Sequence, residues 1–328
     1  MRPMDRGRST AVAVLAVLLA GCTPGPNLPG ATSSPAPPPR SAPQPPPVSP
    51  FTGLPTDLAA PVLVAKIDNA RQGRPQTGLT AADLVYVEPV EGGVSRLAAV
   101  FQSRIPPVVG PVRSVRRTDV QLLANFGRPA LAFSGTAPPL QLLLDGSPAV
   151  ELPPPARPGA YSRSGSRSAP HNLYVNARRL SGAGAPPVDI GFRFGPVPEG
   201  GRPVGATSVR YNSTRIGVEW APVQRRWVFA VDGSPLTAAE GGRPGAATVV
   251  LQRVPVEPTG IRDAAGAVSP FALTVGGGEA VVLRDGKAFD ARWVRPAPPA
   301  PTTFTRPDGT PMPFAPGQVW VVLVPPGR

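Results

Sequence analysis

The sequence predicts an α+β or α/β segment over residues 51–180, followed by a mainly β segment over residues 206–328. Three patterns predict it. Apolar residues alternate with others over short runs between 61 and 102, one run after Ser114 carries helical spacing with caps, and beyond residue 206 short strand-like runs recur between Asp-Gly turns.

In chain order, Pro61 to Asp68, Ala82 to Val87 and Arg96 to Gln102 are predicted strands, with Glu91-Gly92-Gly93 as a turn between the last two. Ser114 is the expected N-cap of a helix through Val115, Val120, Leu122, Leu123 and Phe126, and Gly127 stands where a left-handed C-cap residue belongs. A short strand over Ala130 to Ser134 and a helix around Leu140 to Leu144 follow. Pro and Gly cluster over 181–205, which predicts a loop-rich junction. Beyond it, strands are expected at Thr207 to Asn212, Ile216 to Trp220, Arg226 to Val231, Thr248 to Val254, Glu279 to Leu283, Ala288 to Trp293 and Gln318 to Val324. Asp232-Gly233, Asp285-Gly286 and Asp308-Gly309 supply turns.

The first 22 residues carry a different signal. Arg2, Arg6 and Arg8 precede the apolar run Ala11 to Ala20, which is shorter than the roughly 20 residues a membrane-spanning helix needs. The run ends in Leu19-Ala20-Gly21-Cys22, which resembles the lipobox of bacterial lipoproteins. That resemblance implies a lipoprotein signal over 1–22, lipidation of Cys22, and a chain held on the outer face of the cell membrane. Cys22 is the only cysteine, so disulfides within the chain and thiolate metal sites are excluded. Residues 23–50 include 12 prolines and cannot bury a core, so they predict a disordered tether reaching roughly 80 Å.

Net charge is +13, and +11 once Arg2, Arg6, Arg8 and Asp5 are removed with the signal. Such an excess favours acidic partners. Nucleic acid does not fit an exported chain, which leaves anionic envelope polymers. Basic residues other than Lys66 and Lys287 are all arginine, a pattern that GC-rich coding also produces.

Longer segments resemble one family. They are Ile67-Asp68-Asn69 with Arg74-Pro75-Gln76-Thr77-Gly78-Leu79, Ala82-Asp83-Leu84-Val85-Tyr86, Val90-Glu91-Gly92-Gly93 with Arg96, and Gly110-Pro111-Val112-Arg113-Ser114 with Arg116. Ser166-Arg167-Ser168-Ala169-Pro170-His171-Asn172-Leu173-Tyr174 follows, then Val209-Arg210-Tyr211-Asn212, Arg284-Asp285-Gly286 and Pro316-Gly317-Gln318-Val319-Trp320. Together they are similar to the YerB-like bacterial lipoproteins, the DUF3048 domains of unknown function. The resemblance implies a two-part extracytoplasmic lipoprotein and brings no reaction with it. Ser134-Gly135-Thr136 departs from the family's usual segment.

The residues available for chemistry sit mainly in the first segment. Arg113 and Arg116 flank the expected helix start, where free N–H groups and the helix dipole favour anions, and Arg96, Arg163 and Arg167 are candidates for the opposite wall, with Ser114 at the cap. The alternative is that these arginines pair with Asp68, Asp83, Glu91 and Asp119 as structural ion pairs and caps. His171 is the only histidine, which excludes a multi-histidine metal site; no metal ligand set is predicted, and Asp68 with Glu91 leaves room only for a hard cation. His171, Asp68 and Glu91 are the catalytic candidates, and no GxSxG elbow accompanies the serines. Trp220, Trp227, Trp293 and Trp320 are expected in the β core rather than on a sugar-binding face.

The reading is a lipid-anchored extracytoplasmic protein that binds an anionic envelope ligand in a non-catalytic or scaffolding role, with no cofactor implied and its protein partner unspecified. The alternatives are an enzyme acting on phosphate-containing cell-wall intermediates, and a protein-interaction module without a small ligand.

Overall fold

The computed structural model of the protein describes residues 46–263 and 266–327. The expected signal, Cys22 and nearly all of the expected tether therefore lie outside the described residues.

In chain order the strands are β1 (Leu63–Asp68), β2 (Leu84–Pro89), β3 (Ser95–Phe101), β4 (Val108–Val109), β5 (Ala130–Ala132), β6 (Val150–Glu151), β7 (Tyr161–Arg163) and β8 (Leu173–Asn176). These are followed by β9 (Arg202–Pro203), β10 (Ala206–Arg210), β11 (Arg215–Ala221), β12 (Arg226–Val231), β13 (Ser234–Pro235) and β14 (Gly245–Ala246). The last are β15 (Thr248–Arg253), β16 (Val256–Arg262), β17 (Val268–Ala272), β18 (Gly276–Arg284), β19 (Lys287–Arg295), β20 (Thr303–Thr305) and β21 (Val319–Val324). Among the described residues two α-helices, α1 (Arg117–Leu123) and α2 (Pro138–Asp145), complete the architecture, both within the segment expected to be α+β and ahead of the mainly β segment.

One sheet of eleven strands runs in the order β20-β19-β18-β15-β21-β2-β3-β1-β5-β6, with β9 on β19. The strand nearest the C-terminus, β21, lies in its middle, parallel to both β15 and β2. Residues on either side of 181–205 thus belong to one sheet. All six residues of β21 are buried, as befits a parallel strand covered on both faces.

The large sheet has two covered faces. A five-stranded sheet (β10-β11-β12-β13 with β14) and the small sheet β4-β8-β7 close one face, where Trp320 stacks on Phe229 with centroids 3.9 Å apart. Helices α1 and α2 and the aromatic residues Phe51, Phe192 and Phe314 close the other. Trp227, Trp293 and Trp320 are core residues, and Trp220 is half-buried against Trp227. Asp232-Gly233 and Asp285-Gly286 both have positive φ at each residue, the geometry of two-residue hairpins; at Asp308-Gly309 only the glycine does.

One expectation is corrected. The residue capping α1 is Arg116 rather than Ser114, because the Asp119 carboxylate accepts the Arg116 N–H at 2.6 Å and fixes the helix start two residues later. Gly127 adopts φ +69 after the short 3-10 turn that ends the helix.

Candidate functional site

Alternation along β1 directs Leu63, Ala65 and Ile67 toward the small sheets and Val64, Lys66 and Asp68 toward α1. On that face the register sets Asp68 of β1 opposite Arg96 of β3, and Arg96 opposite Glu88 of β2. One row further in, Lys66 stands opposite Ala98 and Ala98 opposite Tyr86. The small Ala98 leaves room for Lys66 to cross to the next strand. Its Nζ lies 2.6 Å from Glu88 Oε2 and 2.6 Å from Asp119 Oδ1 on α1, with all three groups buried. Burial pushes the Glu88 carboxyl up to about 8; the neighbouring Asp119 carboxylate adds to the rise and Lys66 opposes it.

At the carboxyl end of β1 this buried system reaches the surface. Asp68 Oδ2 lies 2.6 Å from His171 Nδ1 and 3.7 Å from Arg113 Nε, while Oδ1 accepts the Ala70 N–H at 2.9 Å. The Asp68 side chain is 3% exposed and that of His171 20%, so the carboxylate is an inner anchor and the imidazole sits at the rim. The Gln76 amide donates to the Asp68 carbonyl and to Asn69 Oδ1, each at 2.9 Å, and so fixes the loop after β1. Gly73 crosses directly over the carboxylate: a Cβ there would lie 2.7 Å from Asp68 Cγ. Arg113 reaches the Pro170 carbonyl at 3.1 Å and ties the His171 loop to the strand pair.

The remaining arginines divide. Arg116 Nε donates to Glu91 Oε1 at 2.5 Å. Burial would raise the Glu91 carboxyl, but the hydrogen bond and charge of Arg116 outweigh it and hold the group below the usual range. Arg96 donates to the Ser114 carbonyl at 3.1 Å. Burial first, and then the nearby Arg116 and Arg113, lower its guanidinium to about 10. Arg167 bonds the carbonyls of Gly73 and Pro75 at 2.8 Å each, and Arg163 donates to Asn172 Oδ1 at 2.7 Å beside His171. Among the described residues Asp83 is in no ion pair with an arginine: it accepts the N–H groups of Gln102 and Ser103.

Asp68, Arg113 and His171 thus converge, with Arg163 one residue contact away through Asn172. Arg116 and Glu91 form a separate pair, Arg96 lies beneath both, and Arg167 is a loop latch. Ser114 Oγ meets Ser134 Oγ at 3.3 Å. Among the described residues no three or more His, Cys, Asp or Glu side chains gather closely enough to hold a metal ion. The sequence reading missed Lys66 and Glu88 as partners; one lysine interrupting the apolar strand β1 is the signal that could have found Lys66.

A mixed sheet sharing strands from two sequence segments, with a buried charged face opening at the end of β1, defines an α+β protein of two interlocked parts. The chain belongs to the DUF3048 family: residues 51–186 match the model of its N-terminal domain and residues 207–321 that of its C-terminal domain, both described as being of unknown function. It is 43% identical over 82 residues to a Bacillus subtilis (strain 168) protein named "Putative lipoprotein YerB"; that stretch is 24% of this chain and spans about a quarter (24%) of the relative's length. The crystal structure of YerB from Bacillus subtilis superposes with a TM-score of 0.70 at 22% identity, covering 84% of this chain and 96% of that one, which shows a shared fold.

Proposed function

We propose that the protein is a lipoprotein held by Cys22 on the outer face of the bacterial cell membrane, and that its His171 corner binds an anionic envelope group without turning it over. The lipobox-like Leu19-Ala20-Gly21-Cys22 and the name of the Bacillus subtilis relative support the anchor. Replacing Cys22 with Ala should release the protein from the membrane fraction; retention there would remove the anchor from the proposal.

One observation carries the ligand site. His171 presents Nδ1 to a buried carboxylate at 2.6 Å while its ring stays partly exposed, so Asp68 orients the imidazole and turns Nε2 outward. Beneath it the carboxylates of Asp68, Glu91 and Asp119 face Lys66, Arg96, Arg113 and Arg116, while Glu88 keeps its proton up to about 8. Below about pH 8 these groups therefore carry one positive charge in excess, which favours an anion received at the rim by His171 with Arg113 and Arg163 beside it. Thermal-shift titration of the compact unit Pro45–Arg328 with phosphorylated and carboxylated wall fragments tests this. A fragment at a hundred times its Kd should stabilise by about 2.7 kcal/mol, and His171→Asn should abolish the shift. No shift with either class of fragment sinks the reading.

The same carboxylate–imidazole pair favours a second reading, proton transfer to a phosphate-containing wall intermediate, with Asp68 orienting the imidazole. Turnover that collapses in Asp68→Asn while affinity survives would select it.

A further inference from the structure

Strand β10 ends the five-stranded sheet, and nothing pairs with its outer edge among the described residues. The Tyr211 N–H bonds the Thr214 carbonyl at 2.8 Å and closes a tight turn onto β11; the Trp220 N–H bonds Gly205 at 2.8 Å at the other end. Between these fixed points the antiparallel ladder alternates. Thr207 opposite Val218 and Val209 opposite Ile216 are the hydrogen-bonded pairs, so Ala206, Ser208 and Arg210 turn their N–H and C=O groups away from β11. All three of these residues are exposed.

The edge is flanked by a cleft of about 200 Å³ on its inner side, between Thr207 and Val209 and the uncovered part of the large sheet. Leu251 and Val281 floor it and are only partly buried. On the outer side Arg210 faces Arg215 in register, in a non-hydrogen-bonded pair, where side chains stand closest. Like charges opposite one another are destabilising, and among the described residues neither arginine is in an ion pair. An open backbone ladder, a half-buried apolar floor and two unneutralised arginines occur together.

We propose that β10 is a docking edge for an extended acidic segment of a partner protein, which adds as a further strand, puts alternate apolar side chains into the Leu251–Val281 cleft and sets acidic ones beside Arg210 and Arg215. Backbone pairing supplies the affinity and the alternation supplies the selectivity. A free edge of this kind is a pairing template that proteins usually blunt with bulges, proline or inward charges.

Nine-residue, end-capped peptides alternating valine with glutamate, or valine with lysine, are the probes, read by fluorescence anisotropy on the compact unit Pro45–Arg328. The glutamate peptide should bind at least tenfold tighter than the lysine peptide and slow amide exchange at Ser208 and Arg210. Ser208→Pro removes an outward N–H, a substitution that edge strands accommodate, together with the hydroxyl that accepts from Arg215 Nε at 3.1 Å, and should weaken binding at least tenfold; Ser208→Ala, which removes that hydroxyl alone, should not. Should Ser208→Pro fail to fold, Arg210→Glu with Arg215→Glu carries the test and should reverse the preference between the two peptides. Equal binding of both peptides, no binding of either, or unchanged binding by the folded proline variant overturns the proposal.

Discussion

Lys66 on β1 reaches across Ala98 of the intervening strand to place its Nζ 2.6 Å from Glu88 Oε2 on β2, and a second carboxylate, Asp119 of α1, meets the same nitrogen at 2.6 Å. One buried lysine therefore ties two strands to the helix that covers them.

Lys66→Met should cost about 3–5 kcal/mol, because it leaves the buried Asp119 carboxylate, with Glu88 beside it, without a cation. Removing the opposing charge as well, Lys66→Met with Asp119→Asn, should recover a large part of that loss. Urea denaturation of the four members of the double-mutant cycle measures it.

The triad also predicts how stability depends on pH. Lys66 balances one of its two carboxylates, and the folded protein keeps a proton on Glu88 up to about 8, whereas the unfolded chain releases it near 4.5. Between these values the folded state binds the extra proton, so this group stabilises fully below about 4.5, and its contribution is lost as pH rises through about 8. Glu91 acts oppositely: its folded carboxyl is held below 4.5, so its contribution is present above that value and lost as pH falls through the lowered one. Urea midpoints from pH 5 to 8.5 should fall with rising pH, and Glu88→Gln should flatten the slope.

Gly73→Ala should act as a substitution of Asp68 itself. The new methyl would lie 2.7 Å from Cγ and 2.9 Å from Oδ2 of the buried Asp68 side chain, which pushes the carboxylate off His171. A single histidine gives a single imidazole signal by NMR. Its chemical shift in Gly73→Ala should move from wild type toward that of Asp68→Asn; a spectrum identical to wild type would show that the loop yields instead.

Local pattern carried most strands into the prediction. Arg226 to Val231 matches β12, and the Asp-Gly pairs at 232 and 285 sit in hairpin turns. The hairpin of β16 and β17 escaped because Pro258 and Gly260 interrupt any alternation, and its register shifts between Pro258 and Arg262. The helix start was misplaced because Ser114 is a good cap by type, whereas Asp119 decides the start through space. Of the site, Asp68, Arg113 and His171 were visible as charged residues at strand ends and in loops. Their convergence was not, since 103 positions separate Asp68 from His171. The sheet order was equally hidden. Gln318 to Val324 was legible as a strand, but nothing local says that its neighbour is β2, more than 200 residues earlier.

That neighbour relationship makes the two segments interdependent. Strand β21 pairs with β2 from Leu84 to Val87, and the Tyr211 hydroxyl bonds the Leu323 carbonyl at 2.9 Å and approaches the Val87 carbonyl at 3.3 Å across the same junction. Residues 46–186 alone would leave the edge of β2 unpaired and strip the cover from Val85 and Val87, which face Trp320, Val322 and the small sheet in the same core. That fragment should show no cooperative unfolding transition, and adding residues 187–328 in trans should restore one. The gentler substitution, Tyr211→Phe, should keep the fold and cost about 1 kcal/mol, the worth of one buried hydrogen bond. A cooperative transition in the isolated fragment, with a midpoint near that of the whole chain, would show instead that the N-terminal segment closes its sheet without β21.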